Sequence, residues 1–231
     1  MSSDNTTTTT STAKDDESKQ SSDRLPLQYA WTLWHTAPAT GGGWSDNYKE
    51  IAKFATVNEF WRLFNNISPP SLLDEGSSYH LFRGKIKPAW EDKFNAHGGS
   101  WAFRFGQSKS RGSHHDYNNQ SNPKFEAANS ANYAWYHSVL NMIGNNFQHS
   151  EDICGLVINI KKGGRGKIEL WIKDANSTNK VYDIGHQFKE FCGAARKKNA
   201  EIEFMVCHYA FFFCEFPSSF YFLLFSHSKI S

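Results

Sequence analysis

Apolar residues recur along this chain at the two spacings that secondary structure imposes. Six runs have strand character: LQYAWTLWHTA (27–37), SYHLFRGKIK (78–87), GSWAFRFG (99–106), ICGLVINIKK (153–162), GKIELWIKD (166–174) and EIEFMVCHY (201–209). Three stretches between them have helical character instead: TVNEFWRLFNNI (56–67), ANYAWYHSVLNMIG (131–144) and KVYDIGHQFKEFCG (180–193). The first opens with a capping box, Thr56 as N-cap and Glu59 three residues on. The other two stop at Gly144 and Gly193, residues suited to the turn out of a helix. Strands outnumber helices and are mostly joined by short turns. That order predicts an α+β fold, a curved antiparallel sheet with helices on one face. KKGGRGKI reads as a hairpin turn, not a phosphate loop. No glycine stands five residues before Gly166, and Ile168 follows Lys167 where Ser or Thr is needed.

Period-two counting separates the faces of the late hairpin. Ile168, Leu170 and Ile172 share one face with an apolar character; Lys167, Glu169, Trp171 and Lys173 share the other. On the preceding run, Leu156, Ile158 and Ile160 face one way, and Val157, Asn159 and Lys161 the other. A tryptophan thus stands on a charged face near two lysines. It either covers the sheet or offers an aromatic contact beside a cationic site for phosphate. Two further tryptophans sit in loops: Trp44 in the glycine-rich ATGGGWSDNY, and Trp90 in PAWEDKF, next to the carboxylate of Glu91. Two loop indoles can sandwich a flat ring, each stack being worth roughly 1–3 kcal/mol. An ionised Glu91 only accepts hydrogen bonds, so it matches the N1–H and N2 amine of guanine, a pair of donors that adenine lacks. A positive charge on the ring, as in N7-methylguanine, adds a cation–π contribution of about 0.5–2 kcal/mol. Such a constellation describes a site for the 5′ cap of mRNA.

Composition sets the limits around this core. Residues 1–24 hold a threonine run and almost nothing apolar, so they are expected to be disordered. The chain has a net charge of +2; the first 24 residues carry five acids against three bases, which leaves the body at +4. That suits a nucleotide or an RNA end better than a duplex. Four cysteines without a CxxC pair are expected to be free thiols. No metal or cofactor is expected; the densest histidine cluster, SHHD (113–116), lacks ligand spacing. The polar span 107–130 reads as a long loop insertion, and the aromatic stretch 210–231, broken by Glu215 and Pro217, as an atypical tail without a membrane anchor. No acidic cluster for Mg²⁺ and no nucleophile–base pair points to an enzyme.

The motifs LPLQYAWTLW, FATVNEFWRLFNNI, SYHLFRGKIKPAWEDKFNAHGGSW, DICGLVINI and KIELWIKD resemble the eukaryotic translation initiation factor 4E family, over about residues 25–209 and in the family's order. The resemblance implies a cupped antiparallel sheet backed by three long helices on its convex face, with 7-methylguanosine-capped mRNA held in the cup and no catalysis. It implies that Trp44 and Trp90 sandwich the methylguanine, that Glu91 reads its edge, and that Trp171 lies near the N7-methyl group. Lys161 and Lys167 would hold the phosphates, with Arg165 assisting. It further implies a partner groove of Pro26, Val57, Trp61, Tyr136, Leu140 and Gly144. That groove would take a Tyr-x4-Leu-hydrophobic helix of the scaffold factor 4G or of 4E-binding proteins. The expected compartment is the cytoplasm, with the nucleus as a second one. Ser100 stands where the family usually has a basic residue that contacts phosphate, and the terminal sequence departs from the family's basic closing loop. These departures keep open a second reading, a relative impaired in cap binding that acts as a repressor or decoy through its partner groove.

Overall fold

The computed structural model describes residues 25–38, 48–106, 123–197, 200–207 and 228–230. Eight strands form one antiparallel sheet: β1 (Pro26–Thr36), β2 (Tyr48–Thr56), β3 (Ser78–Arg83), β4 (Gly99–Phe105), β5 (Ile153–Ile160), β6 (Gly166–Ile172), β7 (Ile202–Val206) and β8 (Ser228–Ile230). Their order across the sheet is β2-β1-β3-β5-β6-β4-β7-β8. Among the described residues three helices accompany it: α1 (Val57–Phe64), α2 (Pro123–Ile143) and α3 (Thr178–Phe191). The first is only eight residues long.

Alternation decides which face meets the helices. Leu33, Leu81, Leu156, Leu170, Trp101 and Phe204 occupy successive cross-strand positions from β1 to β7. They join one core with Phe60 of α1, Ala134, Trp135 and Val139 of α2, and Val181, Ile184 and Phe188 of α3. Trp31, Trp101 and Trp135 are buried almost completely. Each removes some 150–250 Å² from water, a gross gain of roughly 4–6 kcal/mol before ordering entropy. Trp101 also orients α3, its indole N–H donating to Val181 O at 2.9 Å. Gly185 is where the helix crosses that indole: a Cβ there would lie 2.5 Å from the ring.

The N-cap of α1 is as the sequence predicts, Glu59 N–H donating to Thr56 Oγ1 at 3.2 Å. The reciprocal bond shifts by one residue, since the Glu59 carboxylate accepts from Ala55 N–H at 2.9 Å. After α3 the chain turns at Gly193, with φ 77°. After α2, by contrast, the left-handed residue is Asn145 (φ 60°), not Gly144.

Three features differ from the sequence reading. β2 was not among the six predicted runs. Leu33 pairs with Ala52 and Trp34 with Glu50, so Ile51 bulges out of the ladder and breaks the alternation. α2 begins at Pro123, so the first eight residues of the helix fall inside the span 107–130 that composition assigns to a loop. Proline suits a first helical turn, where its missing N–H has no intrahelical partner. Within the aromatic stretch 210–231, Ser228–Ile230 forms the edge strand β8 against β7. The rest of that stretch and residues 1–24 lie outside the described residues.

Gly185→Ala should destabilise the domain by about 1–3 kcal/mol, because the added methyl meets the buried Trp101 ring and helix α3 must shift. Differential scanning calorimetry should show a melting point lower by roughly 2–8 °C, and an unchanged midpoint would contradict the close approach.

Candidate functional site

The face of the sheet away from the helices is built of three cross-strand rows. The first runs Thr32, Phe82, Gly155, Trp171, Ser100, Met205 from β1 to β7. The second runs Trp34, His80, Val157, Glu169, Ala102, Glu203. The third runs Tyr48, Thr36, Ser78, Asn159, Lys167, Arg104, beginning on β2. Alternate rows on one face stand about 7 Å apart along a strand, so the outer two are separated by roughly 13 Å. The face is aromatic at one end and cationic at the other.

At the aromatic end, Phe82, Cys154, Val157 and Trp171 form a second, small apolar cluster. Gly155 makes it fit: a Cβ there would lie 2.6 Å from the Phe82 ring. Phe82 meets Trp171 edge-on at 5.4 Å. Trp90 lies flat on Trp171, ring centroids 3.3 Å apart and planes 10° from parallel. The loop between β3 and β4 that carries Trp90 and Glu91 is pinned from within. Asp92 accepts from the N–H groups of Lys87 (2.9 Å) and Phe94 (3.0 Å). The buried Asn95 amide donates to Lys87 O (2.9 Å) and Ala89 O (2.7 Å). Glu91 itself is exposed. Its charge is felt by two groups of this face: burial first, then Glu91, raises the Tyr48 hydroxyl. Burial, then Cys154, then Glu91 pushes the Cys207 thiol up to about 12.

At the cationic end, Lys161 and Arg165 are exposed on the β5–β6 turn, which reverses through Gly163 (φ 77°) and Gly164 (φ 74°). The Arg165 side chain folds back, Nε donating to Lys162 O at 3.1 Å. Lys167 stands inside the cup, its Nζ 2.8 Å from Glu169 Oε1. Arg104 stands next to it, 3.5 Å from Glu203.

The sequence-predicted residues are therefore partly united. Trp90, Glu91 and Trp171 come together, and Lys161, Arg165 and Lys167 gather at the opposite end. Trp44 lies outside the described residues, as does SHHD. Two expectations need correction. Trp90 is no free loop indole but is packed against the small cluster, because Trp171 offers it a flat apolar floor. Ser100, expected beside the phosphates, is fully buried on the cup face between Trp171 and Met205, and its Oγ has no hydrogen-bond partner. The basic residue that β4 presents here is Arg104, which alternation in GSWAFRFG would have found. His80 and Trp34 were missed as part of this face; only pairing with neighbouring strands brings them into a row with Glu169, which counting places beside Lys167 and Trp171.

The groove residues on the helix side are brought together as well. Leu25 O accepts from Val57 N–H at 2.9 Å, which sets Pro26 beside the start of α1. Trp61 meets Phe64 at 6.3 Å, and Phe64 meets Tyr136 of α2 at 5.8 Å. Trp61 and Tyr136 remain 36% and 39% exposed. Leu140 and Gly144 follow Tyr136 at four-residue steps, Gly144 just past the helix. No helix among the described residues is long and apolar enough to cross a membrane.

Comparison with known proteins adds an independent line. Residues 26–212 match the family model described as eukaryotic initiation factor 4E. The chain is 36% identical over 169 residues to eukaryotic translation initiation factor 4E-1 of Lactuca sativa, an alignment covering 72% of this chain and 63% of that protein. It is 36% identical over 178 residues to factor 4E1 of Drosophila melanogaster, covering 77% and 61%. The chain thus spans a little under two thirds of the length of these curated relatives. Ascaris suum eIF4E-3 in complex with the m2,2,7G cap superposes with a TM-score of 0.68 at 31% identity, over 79% of this chain and 91% of that one. Caenorhabditis elegans eIF4E-3 bound to the 4E-binding protein Mextli superposes with a TM-score of 0.69 at 28% identity, over 81% and 96%.

His80 carries a pH signature of this face. Burial, then the neighbouring His35, lowers its imidazole from 6.5 to about 3. Its Nε2 meets Thr36 Oγ1 at 3.0 Å, while Nδ1 is buried without a partner. Unfolding lets the ring take up a proton that the native site refuses, so the unfolded state binds more protons below pH 6.5. The stability contributed by neutral His80 is complete above that value and is lost as pH falls toward about 3. His80→Gln should flatten this part of the profile in urea-unfolding midpoints measured from pH 7 down to pH 4; an equally steep profile would contradict the assignment.

Proposed function

The chain belongs to the eukaryotic initiation factor 4E family, and from that premise we propose that it binds the 7-methylguanosine cap of mRNA in its cup and a helical partner on its convex side. The domain that does so is assigned to residues 25–209. The observation that carries the reading is the Trp90–Trp171 stack with the exposed carboxylate of Glu91 beside it. Aromatic faces and an acceptor-only group stand together at one end of the cup, and cations stand at the other.

In this reading Trp90 has two alternative surfaces. In this structure its face lies on Trp171. A methylguanine gains roughly 1–3 kcal/mol from each aromatic face it contacts, while parting the two indoles forfeits about 0.5–1.5 kcal/mol. The exchange is favourable, and the ring ends between Trp90 and Trp44 with Trp171 at its methyl edge. Glu91 accepts from N1–H and the N2 amine and partly neutralises the ring's positive charge. Lys161, Arg165, Lys167 and Arg104 line the way for phosphates leaving that ring. All of this is binding; no group in the cup is assigned a catalytic step.

The Ascaris suum relative is described with the m7G cap as well as the m2,2,7G cap, and the Caenorhabditis elegans relative with Mextli and a cap analogue together. Those complexes support the initiation role over the decoy, and support two surfaces engaged at once. On this chain the partner surface is Pro26, Val57, Trp61, Tyr136, Leu140 and Gly144. A scaffold factor of the 4G type or a 4E-binding protein would lay the Tyr-x4-Leu-hydrophobic face of a helix there, linking capped mRNA to the ribosome. Such work assigns the protein to the cytoplasm.

Trp90→Ala should weaken 7-methyl-GTP binding by about 1–2 kcal/mol, the ring stack lost less the indole stack no longer broken. Glu91→Gln should weaken it by about 1.5–3 kcal/mol and narrow the preference over unmethylated GTP. Isothermal titration decides both, and wild-type affinity in both variants would exclude this ring site.

Trp61→Ala should abolish binding of a Tyr-x4-Leu peptide while leaving cap affinity within a factor of about three, since the surfaces lie on opposite faces and share no partner. Calorimetry with each ligand checks it; undiminished peptide binding would move the groove elsewhere.

A further inference from the structure

The cup's cationic end carries an acid that a phosphate site has no evident use for. Glu169 lies in the middle row, between Val157 of β5 and Ala102 of β4, and its side chain is only 7% exposed. Its Oε1 holds Lys167 Nζ at 2.8 Å, two residues away on the same strand face. Lys167 is itself 27% exposed. A second pair on this face, Arg104 with Glu203, is longer at 3.5 Å, and its side chains are 45% and 36% exposed. Solvent screens that pair and leaves its arginine easy to recruit. The Glu169 carboxylate has little water to fall back on, so releasing Lys167 would leave a buried charge uncompensated, which is costly.

We propose that Glu169 is a specificity-determining residue: by holding Lys167 in an internal ion pair, it lowers the share of binding that the ligand's phosphates supply. The proposal rests on the reading of the cup as a methylguanosine site. A phosphate that reaches Lys167 must either draw the ammonium away from Glu169 or share it with a carboxylate that repels it. Either way the contact is worth less than an unopposed charge-assisted bond. Phosphate recognition is then left to the exposed Lys161 and Arg165 of the turn and to the screened Arg104. Discrimination in this chain leans on the ring, through the indoles and Glu91, more than on the number of phosphates.

The test uses the full chain and three probes: 7-methylguanosine, its 5′-monophosphate and its 5′-triphosphate, titrated at low and high salt. In Glu169→Gln the ratio of triphosphate to nucleoside affinity should rise about five- to tenfold, a gain of roughly 1–1.4 kcal/mol. The gain should shrink at high salt, being electrostatic. Glutamine keeps the shape of the buried side chain, and Glu169→Ala should raise the same ratio. Because each ratio is taken within one protein, a loss of folded fraction cancels. Adding Lys167→Gln to Glu169→Gln should remove the gain. A ratio that stays level or falls in both single variants overturns the proposal and makes Glu169 a positioning residue for Lys167. A gain that survives in the double variant also overturns it. If the wild-type chain binds none of the three probes, the cap reading itself fails, and that outcome is distinct from an unchanged ratio.

Discussion

The cross-strand register of β5, β6 and β4 is the constraint from which the rest follows. Leu156, Leu170 and Trp101 stand in line on one face, while Val157, Glu169 and Ala102 stand in line on the other. A slip of one residue would send Trp101 into the cup and Glu169 into the helices. Such a slip would bury an unpaired charge and expose the indole on which α3 is seated. The cost of either alone exceeds what a neighbouring turn or cap contributes. The same register therefore sets the core, the docking of the helices and the lining of the cup.

The two faces solve different problems. Toward the helices, burial is apolar and gains from close fit, as at Gly185 on Trp101. Toward the cup, polar groups are drawn in with the apolar ones. Trp34 Nε1, His80 Nδ1, Ser100 Oγ and Trp171 Nε1 are buried without hydrogen-bond partners. Each such group costs free energy that the core across the sheet must offset. Trp31 Nε1, Trp135 Nε1 and Ser138 Oγ carry the same cost on the helix side, so what sets the cup apart is that it presents charged side chains, Lys167 and Glu169, beside its aromatic ones. The loop of Trp90 follows the same logic: Asp92 and Asn95 spend their hydrogen bonds on the loop backbone, which leaves Trp90 and Glu91 presented rather than buried in the core.

In the proposed reading, separation by the sheet also means that a partner helix and a ring ligand need not compete. Trp61 and Tyr136 lie over the apolar core, connected through Phe64. Trp90 and Trp171 belong to a different cluster on the far face. Any coupling has to pass through strands packed on both sides, which deform little.

Much of this was legible in the residues alone, and the reasons are local. From Leu156 onward β5 alternates regularly against β6, the one register shift lying earlier, between Ile153 and Gly155, so their faces could be assigned by counting. Thr56 and Glu59 announced α1 because capping is decided within four residues. The candidate ring readers were visible as tryptophans in polar surroundings, and the family motifs placed them in order. β2 was not legible, because the bulge at Ile51 erases the period on which counting relies. The stacking of Trp90 on Trp171 joins residues 81 positions apart, and nothing in either neighbourhood specifies the pairing. Lys167 and Glu169 could be placed on one face from their spacing, but spacing does not say whether a carboxylate is hydrated or buried. Val157 and Ala102 decide that, from the strands on either side. Local sequence determines periodicity, caps and the inventory of chemical groups. Desolvation, and with it which charges are committed to each other, belongs to the tertiary structure, because burial is a property of neighbours that only the fold brings near.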